Sequence, residues 1–235
     1  MKTIRSFGIA LLFLQFISCN ALKSLQGGLT EQEAIDGIKE LLSVGSRYGG
    51  DLLGKNGAFS KESLMSAIFP PELQKLANTL QTLGLSKEVD RFTSTLGKAT
   101  EETATKSIPV FLSGISKMRI KDAFGILKNG NAGATDYLRA TIGDTLKRAI
   151  TPTMNETLDE YKLAGQWNRL VAPAQLVVGE KINLDLGNLM AGLVANAMFN
   201  KIQEKEIEIR NRAEARTSPL LQKVFNKDWS KSFTP

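Results

Sequence analysis

Apolar residues recur along most of this chain at three- and four-residue spacing, which lines side chains up on one face of an α-helix. Ala34, Ile35, Ile38, Leu41 and Leu42 follow that spacing. Before them, Thr30-Glu31-Gln32-Glu33 has the form of a capping box, in which Thr30 accepts from the Glu33 amide while the Glu33 carboxylate reaches back. Gly49-Gly50 and Gly54 to Gly57 predict that the chain loosens after this first helix. Pro70-Pro71 opens the next helix, faced by Leu73, Leu76, Ala77, Leu80 and Leu83 and ended by Gly84. Ser86 is expected to cap a helix carrying Val89, Phe92 and Leu96, and Pro109 to start a short apolar one through Val110, Phe111 and Ile115.

The second half reads the same way. Lys121 to Leu127 forms a turn or two, closed by Asn129-Gly130-Asn131-Ala132-Gly133. From a cap at Thr135 or Asp136 a helix runs to about Ile150, with Leu138, Ile142, Leu146 and Ala149 inward, and Pro152 is expected to break or restart it. Met154 to Leu163 and Gln166 to Val171 predict shorter helices. Asp185 caps the longest helix, reaching about Ala215. Its first half is apolar and small, from Leu186 through Met198, and its second half is charged. There Glu206 with Arg210, and Glu208 with Arg212, form four-residue pairs worth a few tenths of a kcal/mol each. Pro219 starts a tail helix with Leu220, Leu221, Val224 and Phe225. Strand-like alternation is confined to Gln175 to Ile182. The fold class is therefore all-α: a single compact multi-helix domain over residues 30–226, with no substantial β-sheet and about eight to ten helices at ordinary helix and loop lengths.

The first residues follow a different logic. Lys2 and Arg5 precede an apolar run from Phe7 to Ile17, and small residues follow at Ser18 and Ala21, which is the pattern of a secretory signal. The run is short of the ~20 apolar residues a bilayer span needs. Phe16-Ile17-Ser18-Cys19 resembles a bacterial lipobox, in which a small residue precedes the cysteine that receives lipid. Cys19 is the one cysteine in the chain. The expected organisation is a signal peptide at 1–18, a tether at 19–29, and a polar tail at 227–235 after the helical domain. The other route is cleavage after Ala21, which discards Cys19. By resemblance to lipoprotein sorting in enteric bacteria, Asn20 after the cysteine points to the outer membrane, with the body on the periplasmic side. Acyl chains at Cys19 would bind a membrane at about 0.8 kcal/mol per buried methylene.

Charge and composition narrow the chemistry. Apolar residues make up 42% and charged residues 23%, which fits a globular domain rather than a disordered chain. The formal charge is +6; removing Lys2 and Arg5 leaves 28 basic against 24 acidic residues, a net +4. No basic run is interleaved with aromatics, so no nucleic-acid partner is expected. Histidine is absent, which removes the commonest general base and metal ligand together. No cofactor and no metal site are expected. The "GKNG" at Gly54 to Gly57 lacks the spacing of a phosphate loop. An EF-hand reading of Asn129 onward fails, because Gly133 stands at the third ligand place and Ala140 where a glutamate should close the loop.

Two polar constellations remain. Asp122, Asn129, Asn131, Asp136 and Arg139 surround a loop that leads into a helix, a place where amides can receive an anion. The simpler account is a cap at Asp136 or Thr135, with Asp136 paired to Arg139. Asn188, Asn196 and Asn200 fall with Gly192 on one stripe of the longest helix, a pocket wall or a set of interhelical hydrogen bonds. Gly187, Ala191 and Ala195 form a small-residue packing seam beside it. Carboxylates at Asp122, Asp136, Asp144, Glu156, Asp159 and Glu160 are numerous enough for acid–base chemistry, but the sequence brings no two together. In the tail, Trp229 and Phe233 are expected to dock back on the body.

Three stretches, "PPELQKLANTLQTLGLSKEVDRF", "RIKDAFGILKNGNAGATDYLRATIGDTL" and "ARTSPLLQKVF", together with Leu184-Asp185-Leu186, resemble the bacterial family DUF4197. The resemblance covers most of Leu29 to Phe225. It implies a secreted or lipid-anchored envelope protein and supplies no reaction, ligand or catalytic residue. The leading expectation is a non-enzymatic module that binds an envelope protein or other envelope component. A carrier of a small apolar ligand near Met190, Val194 and Met198, and a carboxylate-dependent hydrolase, are the alternatives.

Overall fold

A computed structural model describes residues 28–178, 185–227 and 229. The signal segment, Cys19 and Phe233 lie outside the described residues, as do residues 179–182 of the alternating stretch. Among the described residues the chain is all-α, with no strand. In chain order the helices are α1 (Glu31–Leu53), α2 (Lys61–Ile68), α3 (Gln74–Thr82), α4 (Ser86–Lys106), α5 (Ile108–Lys117), α6 (Ala123–Lys128), α7 (Gly133–Glu160), α8 (Leu163–Val178), α9 (Leu186–Asn211) and α10 (Pro219–Phe225). Short 3-10 turns at Pro71–Leu73, Gly130–Ala132 and Ala213–Ala215 join some of them.

α9 is the centre of the packing, flanked by α1 and α7. Both neighbours run antiparallel to it. Gly45 faces Ile202 and Gly49 faces Met198, while Ala134 meets Glu206 and Gly143 meets Phe199. The buried side of α9 is Met190, Val194, Met198, Ile202 and Ile209, each fully enclosed. Burying a side chain of this size contributes about 1.5–3 kcal/mol. A second centre forms where α8 lies on α3 and α4. Trp167 stacks between Phe69 and Phe92, with ring centroids 5.6 and 5.4 Å away.

Thr30 caps α1 with the reciprocal box its sequence predicts: Glu33 N–H donates to Thr30 Oγ1 at 3.2 Å and Thr30 N–H donates to Glu33 Oε2 at 3.0 Å. The helix does not loosen at Gly49-Gly50. Helix-interior glycine costs about 1 kcal/mol against alanine, and here close packing offsets it. A β-carbon at Gly45 would lie 3.1 Å from the Ile202 Cα, and one at Gly50 would overlap the Ile108 side chain. The chain turns only at Gly54, the C-cap, and at Gly57, whose φ of +82° suits glycine.

Several boundaries shift for physical reasons. Ser60 accepts from Ser63 N–H and starts α2, which buries Leu64 and Ile68 and is not among the predicted helices. Ser86 is the first residue of α4 and not its cap. Pro152 does not break α7: it sits on the exposed face, and Ile150, Met154 and Leu158 are buried on either side of it. Those three anchors outweigh the ~3 kcal/mol of an interior proline. Likewise α8 continues through Pro173 to Val178, so the described part of the alternating stretch is helix, not strand. α9 ends at Asn211, with Ala213–Ala215 as a separate turn. Glu208 pairs with Lys205 at 2.8 Å rather than with Arg212.

Candidate functional site

Two residues one turn apart on α9 organise the site. Glu206 is fully buried. Its Oε1 accepts from Ala134 N–H at 2.9 Å, and its Oε2 accepts from Thr135 N–H at 2.7 Å and the Thr135 hydroxyl at 2.6 Å. The carboxylate of one helix thus caps the amino terminus of another, where free amides and the helix dipole favour negative charge. This corrects the expected cap: α7 begins at Gly133, Thr135 is a buried donor, and Asp136 is an exposed first-turn residue.

Arg210 completes the pair. Its Nε donates to Glu206 Oε1 at 2.9 Å and its Nη1 donates to the Leu127 carbonyl at 2.9 Å. The side chain is 7% exposed. Nη2 lies 2.9 Å from Glu206 Oε1, close enough for charge attraction but without hydrogen-bond geometry, so this buried donor has no hydrogen-bond partner. The guanidinium also covers the Phe225 ring at 5.4 Å.

Arg210 lines a recess of about 360 Å3. Lys128 and Asn131 border it from the carboxyl end of α6 and the turn after it, Asn211 from the end of α9, and Arg216, Asn226, Lys227 and Trp229 from the segments around α10. Gly130, at φ +65°, shapes the near wall in a conformation that glycine adopts without strain. Arg216 is fixed by donating from Nε to the Ile209 carbonyl at 3.0 Å and from Nη2 to the Arg210 carbonyl at 2.9 Å. Trp229 is buried, with Nε1 donating to the Val224 carbonyl at 2.8 Å, so this tail aromatic docks as expected. No Asp or Glu is among the described residues lining the recess.

The first predicted constellation therefore divides. Asn131 enters this recess, with Asn129 just before it as the C-cap of α6. Asp122 instead caps α6, its Oδ1 accepting from Gly125 N–H at 2.7 Å. Arg139 turns to α9 and not to Asp136: Nη2 donates to Asn200 Oδ1 at 3.4 Å and the guanidinium lies 4.9 Å over Phe199.

Arg139 borders a second recess of about 360 Å3, between α7 and α9, with Asp144, Lys147 and Asn196. Asn196 and Asn200 of the predicted stripe thus meet α7, while Asn188 lies apart, its backbone N–H donating to Asp185 Oδ1 at 2.9 Å. A β-carbon at Gly192 would stand 3.2 Å from Lys147 Cε, so the lysine stem of α7 lies across this glycine. This second recess mixes charge signs and holds one of the predicted asparagines, Asn196.

The acids named from sequence are candidates for a hydrolase only as the alternative reading, and Asp122 among them serves as a helix cap. Glu160 meets Lys106 at 3.4 Å, and Glu102, a residue not singled out, meets the same lysine at 2.7 Å. The Lys106 hydrogen bond holds the Glu102 carboxyl below its usual range, the opposite of what a general acid needs. Among the described residues no group of His, Cys, Asp and Glu is placed to hold a metal ion. Met190, Val194 and Met198, the expected carrier site, are fully buried in the α9 core. No helix among the described residues is long and apolar enough to cross a membrane.

The fold and site define an all-α domain built round a buried Glu–Arg pair, with a recess at its edge whose described lining holds Lys and Arg but no Asp or Glu. The family described as "Protein of unknown function (DUF4197)" matches residues 28–226, and the chain belongs to it. No curated protein and no solved structure matches the chain.

Proposed function

We propose that this protein is a lipid-anchored binding module of the cell envelope, held by acyl chains on Cys19 at the periplasmic side of the outer membrane, and that the cationic recess is its binding face. The observation that carries the reading is the recess itself. Lys128, Arg210, Arg216 and Lys227 converge there without a lining carboxylate among the described residues, and fixed hydrogen bonds to helix-end carbonyls hold the two guanidiniums. Cations gathered in a cleft focus field and concentrate counter-ions. The lipobox-like Phe16-Cys19 stretch and the polar segment behind it support the anchor.

Two measurements test it. Intact mass of the mature protein should show an acylated amino terminus at Cys19; an unacylated start at Leu22 refutes the anchor. Crosslinking in the native envelope from a photoreactive residue at Lys128 should capture a component that a probe at Lys98, outside the recess, does not. Equal capture from both positions refutes the recess as the binding face.

A further inference from the structure

We infer that the outer face of α7 pairs with the same face of a second copy of this chain, antiparallel and about a two-fold axis. Asp136, Arg139, Asp144 and Lys147 fall on one stripe of α7, with Ala140 and Gly143 between them. Asp136, Arg139, Ala140 and Asp144 are exposed, and Gly143 and Lys147 are partly buried at the groove beside α9. None of the six lines the recess at Arg210, so this face is separate from the binding face proposed above. Read toward the carboxyl end, the four charges run minus, plus, minus, plus, at steps of three, five and three residues. A second α7 laid alongside in the opposite direction presents plus, minus, plus, minus at the same steps. Arg139 then faces Asp144 of the second copy, Asp136 faces Lys147, and Ala140 faces Gly143. Each contact occurs twice, as a two-fold interface requires. A parallel copy in the same register would set like charge against like, which penalises that arrangement.

The fold does not use these charges internally. Asp136, Asp144 and Lys147 enter no ion pair among the described residues, although each has an opposite charge three or four residues away on α7. Arg148, one turn after Asp144, gives its Nη2 to Thr145 Oγ1 at 3.3 Å instead, and Arg139 gives its Nη2 to Asn200. α9, which flanks the stripe, carries no charged residue from Leu186 to Asn200, so that flank leaves the stripe unneutralised. Ala140 and Gly143 at the centre let two helix axes approach to about 8 Å, the near end of the usual range. The register also fits the ends of the stripe. Gly133, where α7 of the second copy begins, falls opposite Ile150, where the first copy turns this side of the helix into the core. From Asp136 to Lys147 the stripe covers about 17 Å of helix. A contact of that length belongs with the small interfaces, below about 1,200 Å2 in total, so the pairing is weak and salt-sensitive rather than obligate.

A charge exchange tests the pairing. R139D leaves two aspartates facing across the axis, and D144R leaves two arginines. Each variant alone should dimerise at least about tenfold more weakly than the native chain, because a two-fold contact repeats the repulsion. An equimolar mixture of the two should associate again, and so should the double variant R139D/D144R, since both restore opposite charges at every contact. The readout is sedimentation equilibrium of the full chain in density-matched detergent, at low and high salt, and the native dimer should weaken as salt rises. Regained association in the mixture also shows that neither single variant has merely misfolded. A native chain that stays monomeric at every concentration overturns the inference and leaves the stripe to solvent or to a partner of different sequence. A dimer that both single variants form as well as the native chain overturns it too, as does a mixture that fails to associate.

Discussion

Thr135 gives both its backbone N–H and its hydroxyl to one oxygen of Glu206, at 2.7 and 2.6 Å, across 71 residues of chain. The contact holds the start of α7 against α9 and brings the turn before α7 to the rim of the cationic recess. Replacing Thr135 with valine keeps the shape and the backbone donor but removes the hydroxyl. A hydrogen bond to a charged acceptor is worth about 1.5–3 kcal/mol, so T135V should lose that much in urea unfolding with an unchanged denaturant slope.

Removing Glu206 does more. E206A leaves the Arg210 guanidinium buried without its anion and frees two α7 amides, and breaking a buried pair in this way costs about 3–5 kcal/mol. R210M should cost a similar amount by leaving Glu206 unpaired. Because the two charges neutralise each other, the double variant should be destabilised by at least about 1 kcal/mol less than the sum of the singles. It should still be less stable than the native protein, since the α7 amides lose their acceptor. Simple additivity in the unfolding free energies would show that the pair is incidental.

How much of this could be read from the chain depends on the range of the forces involved. The Thr30 box, the Asp185 cap and the four-residue step from Glu206 to Arg210 are local, and the sequence displays them. The use of Glu206 is not local. Three helix carboxylates each tie down distant amides: Glu31 takes Ala123, Glu101 takes Gly57 and Ala58, and Glu206 takes Ala134 and Thr135. None has a sequence signal, because the receiving amides lie 43 to 92 residues away. The recess was half legible. Asn131 stands out for its loop and Arg210 as the four-residue partner of Glu206, but nothing in the sequence marks Lys128, Arg216 and Lys227 as neighbours. A buried polar position inside an otherwise apolar repeat was the available clue: Glu206 falls four residues after the buried Ile202 and three before the buried Ile209.

The glycines of α1 supply a prediction whose sign separates packing from flexibility. Glycine to alanine in an open helix position gains up to about 1 kcal/mol. Gly165 in α8 has no atom within 4 Å of where its β-carbon would stand, so G165A should stabilise by about 0.5–1 kcal/mol. Gly45 faces the Ile202 backbone at 3.1 Å, and a helix axis cannot retreat as a side-chain tip can. There the ~1–3 kcal/mol cost of overpacking exceeds the propensity gain, and G45A should destabilise by about 1 kcal/mol. Thermal midpoints that move the same way for both variants would mean that α1 and α9 are not in close contact along this line.

Acid sensitivity follows from a contact at the opposite end of α1. Lys223 on α10 donates to Glu33 Oε1 at 2.5 Å, and Thr30 N–H donates to the other oxygen. The lysine hydrogen bond, and then the Thr30 amide, hold the Glu33 carboxyl down from its ordinary 4.5 to about 2. A carboxyl with a depressed folded value stabilises the fold above its unfolded value, and this contribution fades as pH falls through the folded one. E33Q should therefore be less stable than the native protein at pH 7, and the gap between their thermal midpoints should narrow between about pH 4.5 and pH 2. Because Glu33 and Lys223 are both partly exposed, salt screens their attraction. The same gap should shrink in 1 M sodium chloride at pH 7. A gap that stays constant down to pH 2 would assign the effect of E33Q to lost capping geometry and remove Glu33 charge from the account of how α10 is held on α1.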